Sequence, residues 1–261
     1  MGERLSSQQV LWLSIAGLAL FFGAWTVSGL IELAPSRFLP LPWEVVATGW
    51  QLLHEPFSGH TLQGHLVSSL DRYLRGFAVA ALVGVPLGVL MGWYRWLDYI
   101  VSPLFDALRF VAPIAWVPFA AMWFGTGIGG PMMIIIAGAL PPCLINAYRG
   151  VRYMERKYIE AAQMLGASGF RIMREVLLPA SMPSIVAGLR VSAGAGWQCL
   201  IAAELIAANS GIGLMMIRGQ GILDTSIVMV GMIVVGVLGV MIDLALRLTE
   251  RQIKRRRGLD S

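Results

Sequence analysis

Long uncharged runs alternate with short polar breaks along the chain, a pattern that predicts helices too apolar for the core of a water-soluble domain. Val10 to Ile31 carries no charge, and at about 1.5 Å rise per residue such a run reaches across a hydrocarbon layer about 30 Å thick. Pro35, Pro40 and Pro42 then break the chain. Val46, Trp50 and Leu53 fall on one face of the next segment, Trp43 to His54, which predicts a short helix at a membrane interface. A second uncharged run, Phe77 to Trp93, follows Asp71, Arg72 and Arg75. Phe110 to Tyr148 is too long for one crossing, and Gly125-Thr126-Gly127-Ile128-Gly129-Gly130-Pro131 divides it. Ser181 to Ala208 and Thr225 to Ile242 complete the set. The expectation is a single all-α polytopic membrane bundle over residues 1–261. Its six spans lie near 10–31, 70–93, 99–124, 131–149, 181–208 and 225–246, with a loop at 150–180.

Composition agrees: 57% of the 261 residues are hydrophobic and 13% charged, against about 25% charged in a soluble domain. The N-terminal run is longer than the apolar core of a signal peptide and reads as a retained first span. The net charge of +5 sits largely in two clusters flanking apolar runs, which favours positive-inside bias over nucleic-acid binding. One cluster is Arg149, Arg152, Arg156, Lys157, Arg171 and Arg174, and the other is Arg251, Lys254, Arg255, Arg256 and Arg257. The opposite face receives mainly Arg37 and Arg218, with Arg72 and Arg75 at its margin. Both termini are therefore expected on the cytoplasmic side. Cys143 and Cys199 lie in apolar surroundings without CxxC spacing, and His54, His60 and His65 lack ligand spacing, so neither disulfide nor metal is expected.

Most of the functional information lies between Gly150 and Pro183. Met154, Tyr158, Ala161, Ala162 and Leu165 recur at helical spacing, with Glu155, Arg156, Lys157 and Glu160 on other faces. This helix is expected to end near Gly166. Phe170, Met173 and Leu177 form the apolar side of a second helix, expected to stop at Pro179. Periodicity alone leaves two readings, a pair of helices on lipid headgroups or a docking loop. The residue order decides between them: Glu160-Ala161-Ala162, Gly166 and Leu178-Pro179 resemble the cytoplasmic EAA signature of binding-protein-dependent ABC importer permeases, with Val176 where the family's pattern has isoleucine.

That resemblance implies a type I ABC importer permease fold, with six transmembrane helices and a cytoplasmic coupling helix that docks on an ATPase. Glu160, Ala161, Ala162, Gly166, Leu178 and Pro179 are the implied ATPase-coupling residues. Arg109-Phe110-Val111-Ala112-Pro113-Ile114-Ala115-Trp116-Val117-Pro118 and Trp123-Phe124-Gly125 are similar to the third span of permeases for taurine, aliphatic sulfonates and nitrate. The stretch from Ala202 through Glu204 to Leu214 is closer to the sulfonate and taurine members. The implied partners are two copies of an ABC ATPase, a periplasmic or lipid-anchored solute-binding protein, a second copy of this chain and membrane lipid. The implied location is the bacterial inner membrane.

Charged groups at membrane depth are costly without a partner. Arg109 and Glu204 invite two readings, a structural ion pair or a place in the solute path. Trp197, beside the small residues Ser192 to Gly196, is either a pore-lining aromatic or one packed between helices. Arg109, Trp197 and Glu204 are the candidate translocation path. Arg190 fits snorkelling to the headgroups, and Asp243 and Arg247 fit an intrahelical pair. Pro113, Pro118, Pro141 and Pro142 are expected to interrupt helices where protein or a water-filled cavity covers the freed carbonyls.

The sequence contains no GxxxxGK[ST] phosphate loop. ATP and Mg are therefore expected on the partner ATPase, and this chain is expected to bind no cofactor and to be no enzyme. An ion-coupled secondary transporter calls for internal repeats and midplane ionisable groups, and a membrane enzyme for a carboxylate, metal or Ser/His constellation. The pattern supplies none of these. The expected solute is a small anion such as taurine or an alkanesulfonate, with nitrate, bicarbonate, an aromatic acid or a vitamin precursor as alternatives.

Overall fold

A computed structural model describes residues 6–31, 35, 38–125 and 127–256. Arg37 and Arg257, named above for orientation, lie outside the described residues. The chain is helical throughout: α1 (Ser7–Leu30), α2 (Pro42–His54), α3 (Leu62–Trp93), α4 (Arg95–Arg109), a 3₁₀ turn (Pro113–Trp116), α5 (Val117–Phe124), α6 (Gly129–Arg152), α7 (Arg156–Met164), α8 (Gly169–Ile172), a π turn (Met173–Leu177), α9 (Leu178–Ala207), α10 (Ile212–Gly221) and α11 (Thr225–Arg256). Five of these segments are long and apolar enough to cross a membrane, and the count reaches six if α4 and the Pro113–Phe124 segment, bent by 88°, form one span.

Local chemistry sets the helix limits. Ser6 and Gln9 cap α1 reciprocally, through Ser6 N to Gln9 Oε1 at 2.9 Å and Gln9 N to Ser6 Oγ at 3.3 Å. The third predicted span is broken because Pro113 follows a turn closed by Val111 N to Leu108 O (3.1 Å), so the chain restarts in a new direction. Pro141 and Pro142, expected to interrupt a helix, lie inside an unbroken α6.

Two compact units divide the chain. The first comprises Met1–Gln63 and Met215–Val234. Within it, α2 buries Val45 and Leu52 and exposes Trp43, Val46 and Trp50, so the helix is apolar on two sides. Trp25 Nε1 donates to Pro40 O at 3.1 Å, tying α1 to the approach to α2.

The second unit comprises Gly64–Leu214 and Val235–Ser261, and its core is the packing of α6 against α3 and α9. On α3, Gly84, Gly88 and Gly92, four residues apart, form a stripe against α6. A Cβ on Gly88 would meet the Leu144 carbonyl and come within 2.9 Å of the Ala147 Cβ, so only glycine admits this approach of backbones. Ala139, Ala147, Ala193 and Ala203 are buried in the same packing.

Candidate functional site

The candidate coupling segment is built on a Schellman turn. Ala167 N donates to Ala162 O at 3.0 Å and Gly166 N to Gln163 O at 2.9 Å, and Gly166 has φ +77°, where a side chain is disfavoured. α7 therefore ends at Met164 and the chain reverses. Ala162 is buried, and Met154 and Ile159 pack on a cluster of Val89 from α3, Ala147 and Val151 from α6, and Leu177 and Ile185. Glu160, Ala161 and Gly166 stay exposed, together with Met164 and Leu165, 89% and 88% exposed, and Phe170 at 74%. Glu155 pairs with Lys157, and that hydrogen bond raises the lysine pKa above its ordinary value.

Leu178 and Pro179 open α9, where Pro179 sits in the first turn. There proline's missing amide does no harm, so the segment from Gly169 is not stopped at Pro179. It runs through the π turn into the 30-residue α9. The segment that follows the Gly166 turn and a long membrane helix are thus one piece of backbone.

Near its other end α9 carries Glu204, fully buried. Its partner is Arg72: Nη1 donates to Glu204 Oε1 at 3.0 Å and to Ser210 O at 2.7 Å, and Nη2 to Ser210 Oγ at 2.6 Å. Ser69 Oγ lies 2.8 Å from both carboxylate oxygens and accepts from Ile212 N at 2.9 Å. Gly213 N donates to Glu204 Oε2 at 3.1 Å, and Gly211 N to His65 Nδ1 at 3.1 Å. The first amides of α10, which lack partners inside their own helix, are thus satisfied by a hydroxyl and a carboxylate. His65, Ser69 and Arg72 recur at helical spacing, a polar stripe entering an apolar helix. A span beginning near residue 70 leaves His65 and Ser69 outside it, whereas α3 begins at Leu62 and brings the whole stripe into the helix.

The three candidate path residues are not brought together. Arg109 pairs with Asp106 at 2.8 Å, not with Glu204, and stacks over the Phe110 ring. It borders a cavity of about 220 Å³ beside α6. Trp197 is buried, donates from Nε1 to Val235 O at 3.2 Å and meets the Tyr73 ring edge-on. It also borders a void of about 50 Å³ with Arg190, Gly194 and Asp243. Arg190 finds Asp243 at 2.7 Å rather than headgroups, and Asp243 also takes Arg247 at 2.7 Å, so the expected intrahelical pair joins α9 to α11. Asp98 collects Ser102 (2.5 Å) and Tyr148 (3.0 Å), joining α4 to α6. Among the described residues no group of His, Cys, Asp or Glu could hold a metal.

An all-helical chain with five, or up to six, segments long and apolar enough to cross a membrane has the architecture of a multi-pass membrane protein. The chain belongs to the binding-protein-dependent transport system inner membrane component family, whose pattern matches residues 84–255. It is an ABC importer permease, not itself catalytic, and as such works with an ATPase and a solute-binding protein. It is 33% identical to the taurine transport system permease protein TauC of Escherichia coli K12, over 97% of this chain and 96% of that one. To the bicarbonate transport system permease protein CmpB of Synechococcus elongatus it is 34% identical, over 72% of this chain and 68% of the other. An E. coli protein named for aliphatic sulfonates transport, SsuC, is 34% identical over 87% of this chain and 85% of its own length. In fold, the chain is similar to a chain of the inward-facing MetNI methionine ABC transporter. The TM-score is 0.57 at 20% identity, covering 82% of this chain and 98% of the other.

Proposed function

We propose that two copies of this permease form the path of an ATP-driven importer for a small organic anion of the taurine and alkanesulfonate kind. Each copy forms one domain of six spans, with both termini and the loop at 150–180 in the cytoplasm of a bacterial inner membrane. One ATPase subunit docks under each copy, and a periplasmic or lipid-anchored binding protein delivers solute from the other side. The names of the relatives and the clustering of Arg149, Arg152, Arg156, Lys157, Arg171 and Arg174 beside the coupling segment support this reading.

The observation that carries it is the continuity with α9 of the segment that follows the Gly166 turn. Glu160, Ala161 and the Gly166 turn face outward and form the ATPase contact together with Met164 and Leu165, while Ala162 keeps α7 close to the bundle. Leu178 and Pro179 pass the displacement on. From Leu178 to Glu204 is 26 residues, about 39 Å along a helix, so movement at the ATPase reaches the Glu204 clasp through one rigid element. Arg109, Trp197 and Glu204 are placed along the path in different roles, with Arg109 at a cavity wall and the other two holding helices in register. Uptake into proteoliposomes carrying permease, ATPase and loaded binding protein tests the reading. It should require ATP and stop when the ATPase is inactivated. Uptake driven equally by an ion gradient without the ATPase contradicts it.

A further inference from the structure

The cavity at the α4–α5 bend differs in kind from two other cavities among the described residues. One, about 600 Å³ between α1 and α11, is walled by Phe21, Phe22, Trp25, Met229, Met232 and Ile233 and offers no charged group to orient a solute. The void beside Trp197 is about 50 Å³ and its charges are paired. The bend cavity is intermediate, about 220 Å³, with Phe105, Leu108, Trp116, Ile136 and Leu140 in an apolar wall and one guanidinium, Arg109. That volume is below the roughly 300 Å³ at which drug-sized pockets begin, so it suits a smaller solute.

The guanidinium is prepared to bind. Asp106 holds Nε at 2.8 Å, and the Phe110 ring supports the plane from 4.8 Å. Among the described residues no hydrogen bond engages the two terminal NH₂ groups, which form the fork that recognises a sulfonate or carboxylate. The position is a break in a membrane helix, an irregularity tolerated at membrane depth where protein or a solvent-filled cavity covers it.

We propose that this cavity is a subsite for a small organic anion that carries an apolar tail and no amine. The inference rests on the importer reading above and narrows its solute class. The head binds the Arg109 fork, and a short alkyl tail lies against Trp116, Phe105 and Leu140. The one carboxylate beside the head site, Asp106, is already paired with Arg109 Nε, and the wall beyond it is apolar, so the ammonium of a taurine-like zwitterion would give up water without gaining an unshared partner. Bicarbonate has no tail to cover the apolar wall. Of the solutes for which relatives are named, this cavity therefore fits simple alkanesulfonates.

Binding of 1-hexanesulfonate to the full permease–ATPase complex in phosphatidylcholine nanodiscs, read by calorimetry, tests the subsite. Saturable binding is expected, at least tenfold tighter than for taurine, bicarbonate or 1-hexanol. Arg109→Gln should weaken it at least tenfold, Trp116→Ala several-fold, and Arg109→Lys less than Arg109→Gln, with the melting temperature of each variant reporting that it is folded. Binding unchanged by Arg109→Gln shows partition into lipid and overturns the proposal, as does equal affinity for taurine. Added phosphatidylglycerol that displaces hexanesulfonate only when Arg109 is present identifies a lipid phosphate as the occupant and also overturns it. ATP-driven uptake in the same complex separates the two levels. Intact uptake with no cavity binding removes the subsite alone, whereas uptake independent of the ATPase removes the importer reading whatever the cavity binds.

Discussion

Arg72 on α3 and Glu204 on α9 meet at 3.0 Å with side-chain exposures of only 6% and 0%. Removing one partner of such a pair strands the other charge in a medium that cannot solvate it, at a cost of about 3–5 kcal/mol, whereas replacing both with apolar residues costs far less. Glu204→Ala and Arg72→Met should each lower the melting temperature of the purified chain strongly, and the Arg72→Met/Glu204→Met double variant should recover much of the loss. A double variant as unstable as the sum of the singles would show that the two groups act separately.

The sequence carried the helical bundle and the coupling turn because both rest on local chemistry, namely long uncharged runs and a glycine after an amphipathic repeat. It could not pair the charges. Glu204 finds Arg72, 132 positions away, and Arg109 finds Asp106 three positions away, so sequence separation gave no guide to which acid would take which base. The 88° bend was hidden for a related reason: Pro113 signals a break, but the direction in which α5 leaves depends on what packs around it. Exposure within α7 was only half legible. Ala162 faces in and Ala161 out, a distinction that adjacent identical residues cannot reveal.

On α9, Val191, Gly194 and Gln198 are exposed while Ala193, Trp197 and Leu200 are buried. If two copies meet along this helix, cysteines at 191, 194 and 198 in a background lacking Cys143 and Cys199 should form disulfides between copies, and cysteines at 193, 197 and 200 should not. Efficient cross-linking at the buried set, or at neither, would contradict a central α9 interface.

Topology is checked with two sites on opposite sides of the proposed bundle. Ser168, which precedes α8, should react with a membrane-impermeant maleimide only from the cytoplasmic side once changed to cysteine. Ser58, in the turn between α2 and α3 with φ +52°, should react only from the periplasm. Labelling of Ser168→Cys in intact cells would reverse the proposed orientation.

The central claim is that the turn at Gly166 transmits ATPase movement into α9, and co-purification of the ATPase with Gly166 variants, scored beside uptake, tests it most directly. Gly166 holds φ +77°, which costs a residue with a Cβ about 1–2 kcal/mol and which proline, fixed near −65°, cannot adopt. Gly166→Ala should therefore reduce ATPase retention and uptake modestly. Gly166→Pro should abolish coupling while the chain still inserts, because the turn lies outside the proposed spans. Glu160→Ala would remove the proposed charge-assisted contact to the ATPase, worth about 1.5–3 kcal/mol, a loss of roughly ten- to a hundredfold in affinity. Wild-type ATPase retention and uptake in Gly166→Pro would contradict the account.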